Sequence, residues 1–326
     1  MRKMYNSNKM FVTGGAGFIG SHLVDAFLAQ KAVVNVLDNF SSGTKQNVKQ
    51  HLNNSNFKLV KGDLLNEKDV SEAIENCDIV FHLAANPEVR LSSIDPKTHF
   101  QQNIVVTFNL LETARKTGNV EAFAFTSSST VYGEPEQIPT PEDYAPLEPI
   151  SVYGATKLAC EAMITAYAHT YGFKAVIYRL ANVIGSRSQH GVIYDFIKKL
   201  RNNPKQLEIL GDGTQTKSYL YITDCIDALL LGLERARKPI EVFNVGSEDQ
   251  VNVKTIAKIV VEEMKLKNVK FKVTGGVEGG RGWKGDVKNM LLDVSRLKSL
   301  GWKPKLTSEE AVRQATKDLV KEQNLR

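Results

Sequence analysis

Cysteine is scarce in this 326-residue chain. Cys77, Cys160 and Cys225 lie far apart and form no C-x-x-C pair, so neither a disulfide framework nor a zinc ribbon is available, and a reducing compartment is expected. Long apolar runs are missing too: none reaches the roughly 18 residues of a membrane span. The opening M-R-K-M-Y-N-S-N-K is polar and basic where a secretory signal would be apolar. A cytoplasmic protein with no membrane partner is therefore expected. Charge of one sign is not concentrated: 42 Lys and Arg against 36 Asp and Glu leave +6, but the signs are interspersed and form no basic arm. Nucleic acid is accordingly not an expected partner. The six histidines lie in unrelated contexts, without H-E-x-x-H or His/Cys ligand spacing, so no metal site is expected. Glycine (23) and proline (10) stand at levels that exclude a collagen-like or disordered chain.

What is present is rhythm. From residue 10 to about 180, short β-branched apolar runs at 10–13, 33–37, 57–60, 79–83, 122–126 and 175–180 alternate with amphipathic stretches, the pattern of β-α units in a parallel sheet. Helices are expected at 21–30, at 95–116 after Ile94-Asp95-Pro96, and at 153–171. Beyond 181 the rhythm breaks into Gly, Asn, Lys and Pro clusters such as Gly211-Asp212-Gly213 and Gly279-Gly280-Arg281-Gly282. The expected fold is α/β: a Rossmann-type, doubly wound parallel sheet over 1–180, with a smaller, loop-rich substrate portion over 181–326, some of whose segments return to the larger part. No internal repeat or low-complexity segment interrupts it.

The first strand runs into Thr13-Gly14-Gly15-Ala16-Gly17-Phe18-Ile19-Gly20 and then into a helix. Glycines at 14, 17 and 20 allow a tight turn, close approach of backbone to a pyrophosphate and close helix–strand packing, while the helix N-terminus offers free N–H groups. About 20 residues on, the second strand ends in Leu37-Asp38-Asn39, which supplies an acid for a ribose hydroxyl. A carboxylate there with no arginine close behind repels a 2′-phosphate, so NAD is expected rather than NADP. In Lys61-Gly62-Asp63-Leu64, Asp63 is placed either to accept from an adenine amino group or to cap a helix.

The fifth strand ends in Ser127-Ser128-Ser129-Thr130, and the later long helix opens with Tyr153-Gly154-Ala155-Thr156-Lys157. Tyr and Lys at i and i+4 share a helix face, where an ammonium beside a phenol favours the phenolate. Lowering a tyrosine from about 10 towards 7 takes roughly 4 kcal/mol, within reach of that ammonium plus a cationic nicotinamide. Such a tyrosine acts as a general base, with a strand-end serine passing the proton. Trp283 and Trp302 are assigned no chemistry.

The ordered set T-G-G-A-G-F-I-G (13–20), H-L-A-A-N-P (82–87), S-S-S-T-V-Y-G (127–133), Y-G-A-T-K (153–157), L-G-D-G-T-Q (210–215) and L-G-W-K-P (300–304) resembles the extended short-chain dehydrogenase/reductase family, within it the nucleotide-sugar epimerases and most closely the UDP-glucose 4-epimerases. The resemblance implies Ser128 as the catalytic serine, 25 residues before Tyr153. It implies that Leu83, Ala84, Ala85, Asn103 and Leu180 lie along the cofactor with Phe18, Ile19, Asn39 and Leu64, and that Asn182 and Val192 face the substrate. It further implies a UDP-sugar substrate, epimerisation at C4 through a transient 4-keto sugar, and a homodimer paired through the helices at 95–116 and 153–171. Two departures stand out: Lys217 replaces the family's usual arginine, and R-x-G-D is stretched to Arg281-Gly282-Trp283-Lys284-Gly285-Asp286. Arg281 is assigned to the diphosphate, with Lys284 as its competitor and solvated surface charge as the alternative for both cations. Met290 falls where residue bulk in the family sets room for a 2-acetamido group.

Two other functions fit the same fold. Family dehydratases and decarboxylases carry an acid just after the strand-end serine or threonine, where this chain has Ser129 and Thr130, so elimination lacks its proton donor. A non-catalytic NAD-sensing protein would be expected to lose the tyrosine or the lysine.

Overall fold

Alternation along the first strand, β1 (Lys9–Thr13), sends Met10 and Val12 to one side and Phe11 to the other. The same pleat divides β2 (Val33–Asp38), β4 (Ile79–His82), β5 (Ala122–Ser128) and β6 (Lys174–Leu180), so that each face of the sheet is apolar and requires its own layer of helices. On one face Met10, Val34, Phe81 and Tyr178 pack against Leu23 and Phe27 of α1 (Phe18–Ala29) and Leu229 of the helix Ile222–Arg235. On the other, Phe11, Val80, Phe123 and Ile177 meet α2 (Glu67–Ile74), α4 (Val106–Thr117) and α5 (Val152–Tyr171) through Val70, Leu110, Cys160 and Ile164. The computed structural model describes residues 8–324.

The sheet has seven parallel strands. From one edge the order is Ile240–Val245, β6, β5, β4, β1, β2 and β3 (Phe57–Lys61). This is the Rossmann-type arrangement, and its seventh strand comes from beyond residue 180. Direction of travel reverses between β1 and β4, and a doubly wound sheet binds its ligand in the crevice outside the strand ends at that point. Parallel register brings Thr13 beside both Leu37 and His82, and Ser128 beside Leu180, so the C-terminal ends of five strands line one edge.

The stretch expected as one helix at 95–116 is three joined pieces: α3 (Pro96–His99), a π-helical turn Phe100–Val105, and α4. Asp95 caps its start, accepting from the Thr98 N–H at 3.2 Å. A third apolar cluster, with Ile193, Phe196, Ile256, Val312 and Ala315 from the helices Val192–Asn202, Val253–Glu263 and Ser308–Asn324, forms the core of the smaller portion.

Candidate active site

Between the strand ends and the smaller portion lies a cavity of about 490 Å³. Its floor is the β1–α1 turn. Gly14 has φ +67°, and a Cβ on Gly20 would stand 2.2 Å from the Gly14 carbonyl oxygen, so turn and helix meet at a distance only glycine permits. The N-terminus of α1 has no side-chain cap, and Gly14, Gly17, Phe18, Ile19 and Gly20 all line the cavity. Uncapped helical N–H groups over a glycine cradle fit a dinucleotide pyrophosphate.

At the end of β2, Asp38 accepts from the backbone N–H of Ala16 (2.9 Å) and of Phe40 (2.8 Å), while burial pushes its carboxyl up. Asn39, Ser41 and Ser42 continue that wall without a cation, in keeping with a ribose that carries no 2′-phosphate. Asp63 lines the cavity with Leu64, accepts from Asn39 Nδ2 at 3.0 Å, and does not cap α2; that task falls to Asn66. Leu83, Ala84, Ala85 and Leu180 line the cavity as well. The backbone N–H groups of Leu83 and Ala84 each donate to Thr13 Oγ1 at 3.2 Å, which fixes the β4 loop to the end of β1.

Asn103 stands behind the wall rather than in it. Buried in the π turn, it donates from Nδ2 to Thr156 Oγ1 at 2.8 Å and so braces the start of α5, while its Oδ1 finds no partner.

Ser128, Tyr153 and Lys157 meet in the cavity. The Ser151 hydroxyl caps α5, accepting from Gly154 N–H at 3.1 Å, which sets Tyr153 in the first turn. Lys157 donates to the Thr126 carbonyl at 2.9 Å and lies 5.9 Å from the Tyr153 ring. In the protein alone the ammonium does not bring the phenol down. Lys157 is buried and Tyr153 partly so; desolvation pushes Tyr153 up to about 12 and Lys157 down to about 8, and only the hydrogen bond with Ser128 pulls the phenol the other way. A cationic ring beside the phenol is what would bring it down.

Behind this group runs a buried ionic network. Glu161 accepts from Ser127 Oγ at 2.5 Å and pairs with Arg179 at 2.7 Å; Arg179 also donates to the Tyr132 hydroxyl at 2.9 Å, which donates to Asn244 at 2.7 Å. It joins β5, α5, β6 and the Ile240–Val245 strand in one rigid wall.

Asn182, Val192, Lys217 and Met290 also line the cavity. Lys217 is paired with Asp286 at 2.6 Å, and Met290 is buried beside it, since the strand Asn289–Met290 pairs with Thr216–Lys217. Arg281 is not in the lining: its guanidinium is held by both oxygens of Glu134 and by the Asp286 carbonyl. The lengthened R-x-x-x-x-D spacing moves it away from the position assigned to it. Lys284 does not line the cavity either.

The sequence reading missed Trp283, Arg90, Gln215 and Tyr219, all in the lining. Arg90 lies 5.8 Å and Lys217 5.5 Å from the Trp283 ring, so an indole in a glycine-rich stretch forms the platform for two cations. The signal available was the aromatic residue inserted between the displaced arginine and its aspartate. Among the described residues no group of three His, Cys, Asp or Glu side chains could hold a metal ion, and no helix is long and apolar enough to cross a membrane.

Comparison with known proteins gives three kinds of likeness. The family described as "NAD dependent epimerase/dehydratase family" matches residues 10–246. Among curated relatives, a putative UDP-glucose 4-epimerase of Methanocaldococcus jannaschii is 34% identical over 93% of this chain and 96% of its own, and UDP-glucuronic acid decarboxylase 4 of Arabidopsis thaliana is 32% identical over 95% and 68%. Among solved structures, a UDP-galactose 4-epimerase superposes with TM-score 0.86 at 46% identity, covering 96% of this chain and 99% of that one.

Proposed function

The chain belongs to the NAD dependent epimerase/dehydratase family, whose cofactor is NAD and whose relatives act on nucleotide sugars, and from that premise we propose that it interconverts UDP-glucose and UDP-galactose by epimerisation at C4. The observation that carries the reading is the character of the wall around Ser128. Tyr153 and Lys157 stand in it as base and cation, while the residues that follow the serine in the lining, Ser129 and Thr130, bear hydroxyls and no carboxylate. A hexose held there has a base for its 4-hydroxyl and no neighbouring acid to expel the 6-hydroxyl.

In this reading Tyr153 accepts the proton of the 4-hydroxyl and returns it after the sugar has turned over. Lys157 keeps positive charge beside the phenolate, and Ser128 hydrogen-bonds it. NAD, when bound, supplies the acceptor for the C4 hydride and then its donor. Lys217, Asn182 and Val192 hold the UDP side, and Arg281 acts there only if it leaves Glu134. Met290 bounds the sugar.

The test is incubation of the purified protein with UDP-galactose, UDP-glucuronate and the GDP and dTDP hexoses, each product being identified. UDP-glucose from UDP-galactose, without net NADH, is expected. Carbon dioxide released from UDP-glucuronate, or a 4-keto-6-deoxy product, would replace this reading with decarboxylation or dehydration.

A further inference from the structure

Ser128 ends β5 and caps the 3₁₀ turn Ser129–Tyr132. Its oxygen accepts twice from one residue: from the Thr130 backbone N–H at 3.2 Å and from the Thr130 hydroxyl at 3.0 Å. A serine hydroxyl has two lone pairs and one proton. With both lone pairs engaged, only its proton remains, and its other partner is the Tyr153 phenol.

We infer that Thr130 is a positioning residue for the reacting pair: its hydroxyl holds the Ser128 oxygen as an acceptor and thereby turns the serine's own proton onto the Tyr153 oxygen. This rests on the reading of Tyr153 as the proton acceptor. The chain of donors runs one way, from Thr130 to Ser128 to Tyr153, and such chains strengthen each successive bond where the local dielectric is low. Ser128 so held keeps its proton throughout. The O–H bond of the sugar 4-hydroxyl breaks directly towards Tyr153, a new O–H bond forms on the phenolate, and the electron pair left on O4 becomes the carbonyl bond as hydride leaves C4 for NAD. The serine steadies the phenolate rather than relaying the proton.

The surroundings hold this geometry. A Cβ on Gly154 would stand 2.6 Å from the Thr130 carbonyl oxygen, so α5 is seated directly on the turn that carries Thr130. The groups facing the phenol are few. From α5 come Lys157 and Cys160, and the Cys160 thiol is pushed up by burial and stays protonated. From α3 comes His99, its ring 5.6 Å from that of Tyr153. The contact of His99 Nε2 with the Glu88 carbonyl, 3.2 Å, requires a proton on that nitrogen, and burial lowers the imidazole so that it stays neutral.

The experiment uses NAD-loaded protein and the variants Thr130→Val, Thr130→Ser, Ser128→Ala and Ser128→Ala/Thr130→Val. Ionisation of Tyr153 is followed by near-ultraviolet phenolate absorbance, taken as the difference from Tyr153→Phe, with no sugar present; the pH profile of kcat with UDP-galactose is measured in parallel. Thr130→Val is expected to move both the titration and the low-pH limb of kcat upward by about one pH unit, with kcat below that limb down about tenfold and KM within about twofold of wild type. Thr130→Ser is expected to restore the wild-type limb, and in the Ser128→Ala background the valine should add no further shift. An unmoved titration in Thr130→Val, an equal shift in Thr130→Ser, or a shift that persists without Ser128 would each overturn the inference. Thr130→Ala takes the place of the valine variant if melting or NAD content shows it misfolded. Because the titration needs no sugar, a protein inactive on UDP-galactose that still gives this pattern loses the functional reading and keeps the inference; an active one with an unmoved titration does the reverse.

Discussion

Burial drives the proton affinities of Tyr153 and Lys157 apart, one up to about 12 and the other down to about 8, so at neutral pH the protein alone holds a phenol beside an ammonium. Tyr153→Phe is expected to lower turnover at least about a hundredfold while purified protein retains its NAD, since the proton acceptor goes and the cradle stays; cofactor content and kcat together check it. Met290 lines the cavity, where in the proposed reading it bounds the sugar, and an unbranched thioether moves aside at low cost. UDP-N-acetylgalactosamine should therefore turn over more slowly than UDP-galactose, and Met290→Tyr should abolish the former activity and spare the latter. Loss of both alike would remove Met290 from that role. His82 is a different case. Wholly buried between Thr13 and Thr107, each 2.8 Å from a ring nitrogen, it is held neutral with its titration lowered to about 3. The unfolded chain takes up that proton near 6.5, so stability falls as pH drops from about 6.5 towards 3. Melting temperature measured across that window should decline, and decline less steeply in His82→Gln; equal slopes would sink the assignment. The residues legible in sequence were those whose spacing is itself the chemistry, the i, i+4 pair and the glycine turn. Trp283 and Arg90 were not, because two cations reach one indole ring only after distant loops fold together.

At the scale of elements, β1, β2, β4, β5 and β6 were readable because a parallel strand buried on both faces is written as a nearly continuous apolar run, and the edge strand β3 because Phe57, Leu59 and Val60 stand out between lysines. The helix at 95–116 was placed correctly but read as regular, because a π turn alters the hydrogen-bond pattern without changing apolar spacing enough to register. The strand Ile240–Val245 was lost among turn signals, since Pro239 precedes it and polar Glu241 and Asn244 interrupt it. Asn244 is nevertheless buried, its amide donating to the Thr140 carbonyl at 2.9 Å. The β1–α1 junction yields its own prediction. Since a methyl group at position 20 would press on the Gly14 carbonyl, Gly20→Ala must push helix and turn apart. A loss of about 1–3 kcal/mol in denaturant melts and protein purified without NAD are expected; retention of a full complement of NAD would show that the junction yields more easily than its packing suggests.

For the whole molecule, the outer surfaces of the π turn, α4 and α5 leave Phe100, Phe108 and Tyr171 about half exposed. Large side chains on two adjacent helices suit a two-fold contact in which the same face meets itself. A homodimer is expected, with a mass by light scattering at micromolar concentration twice the 36.2 kDa of one chain; a monomer would refute it. The late entry of Ile240–Val245 into the sheet also bears on biosynthesis. A nascent chain that has emerged only as far as β6 has an open sheet edge, with Val176 and Tyr178 lacking the Phe243 and Val245 side of their cluster. At about 5–20 residues per second, the missing strand follows several seconds later. For that interval the half-made protein carries a hydrogen-bonding edge open to any passing strand, and it is then that a ribosome-associated chaperone has something to hold.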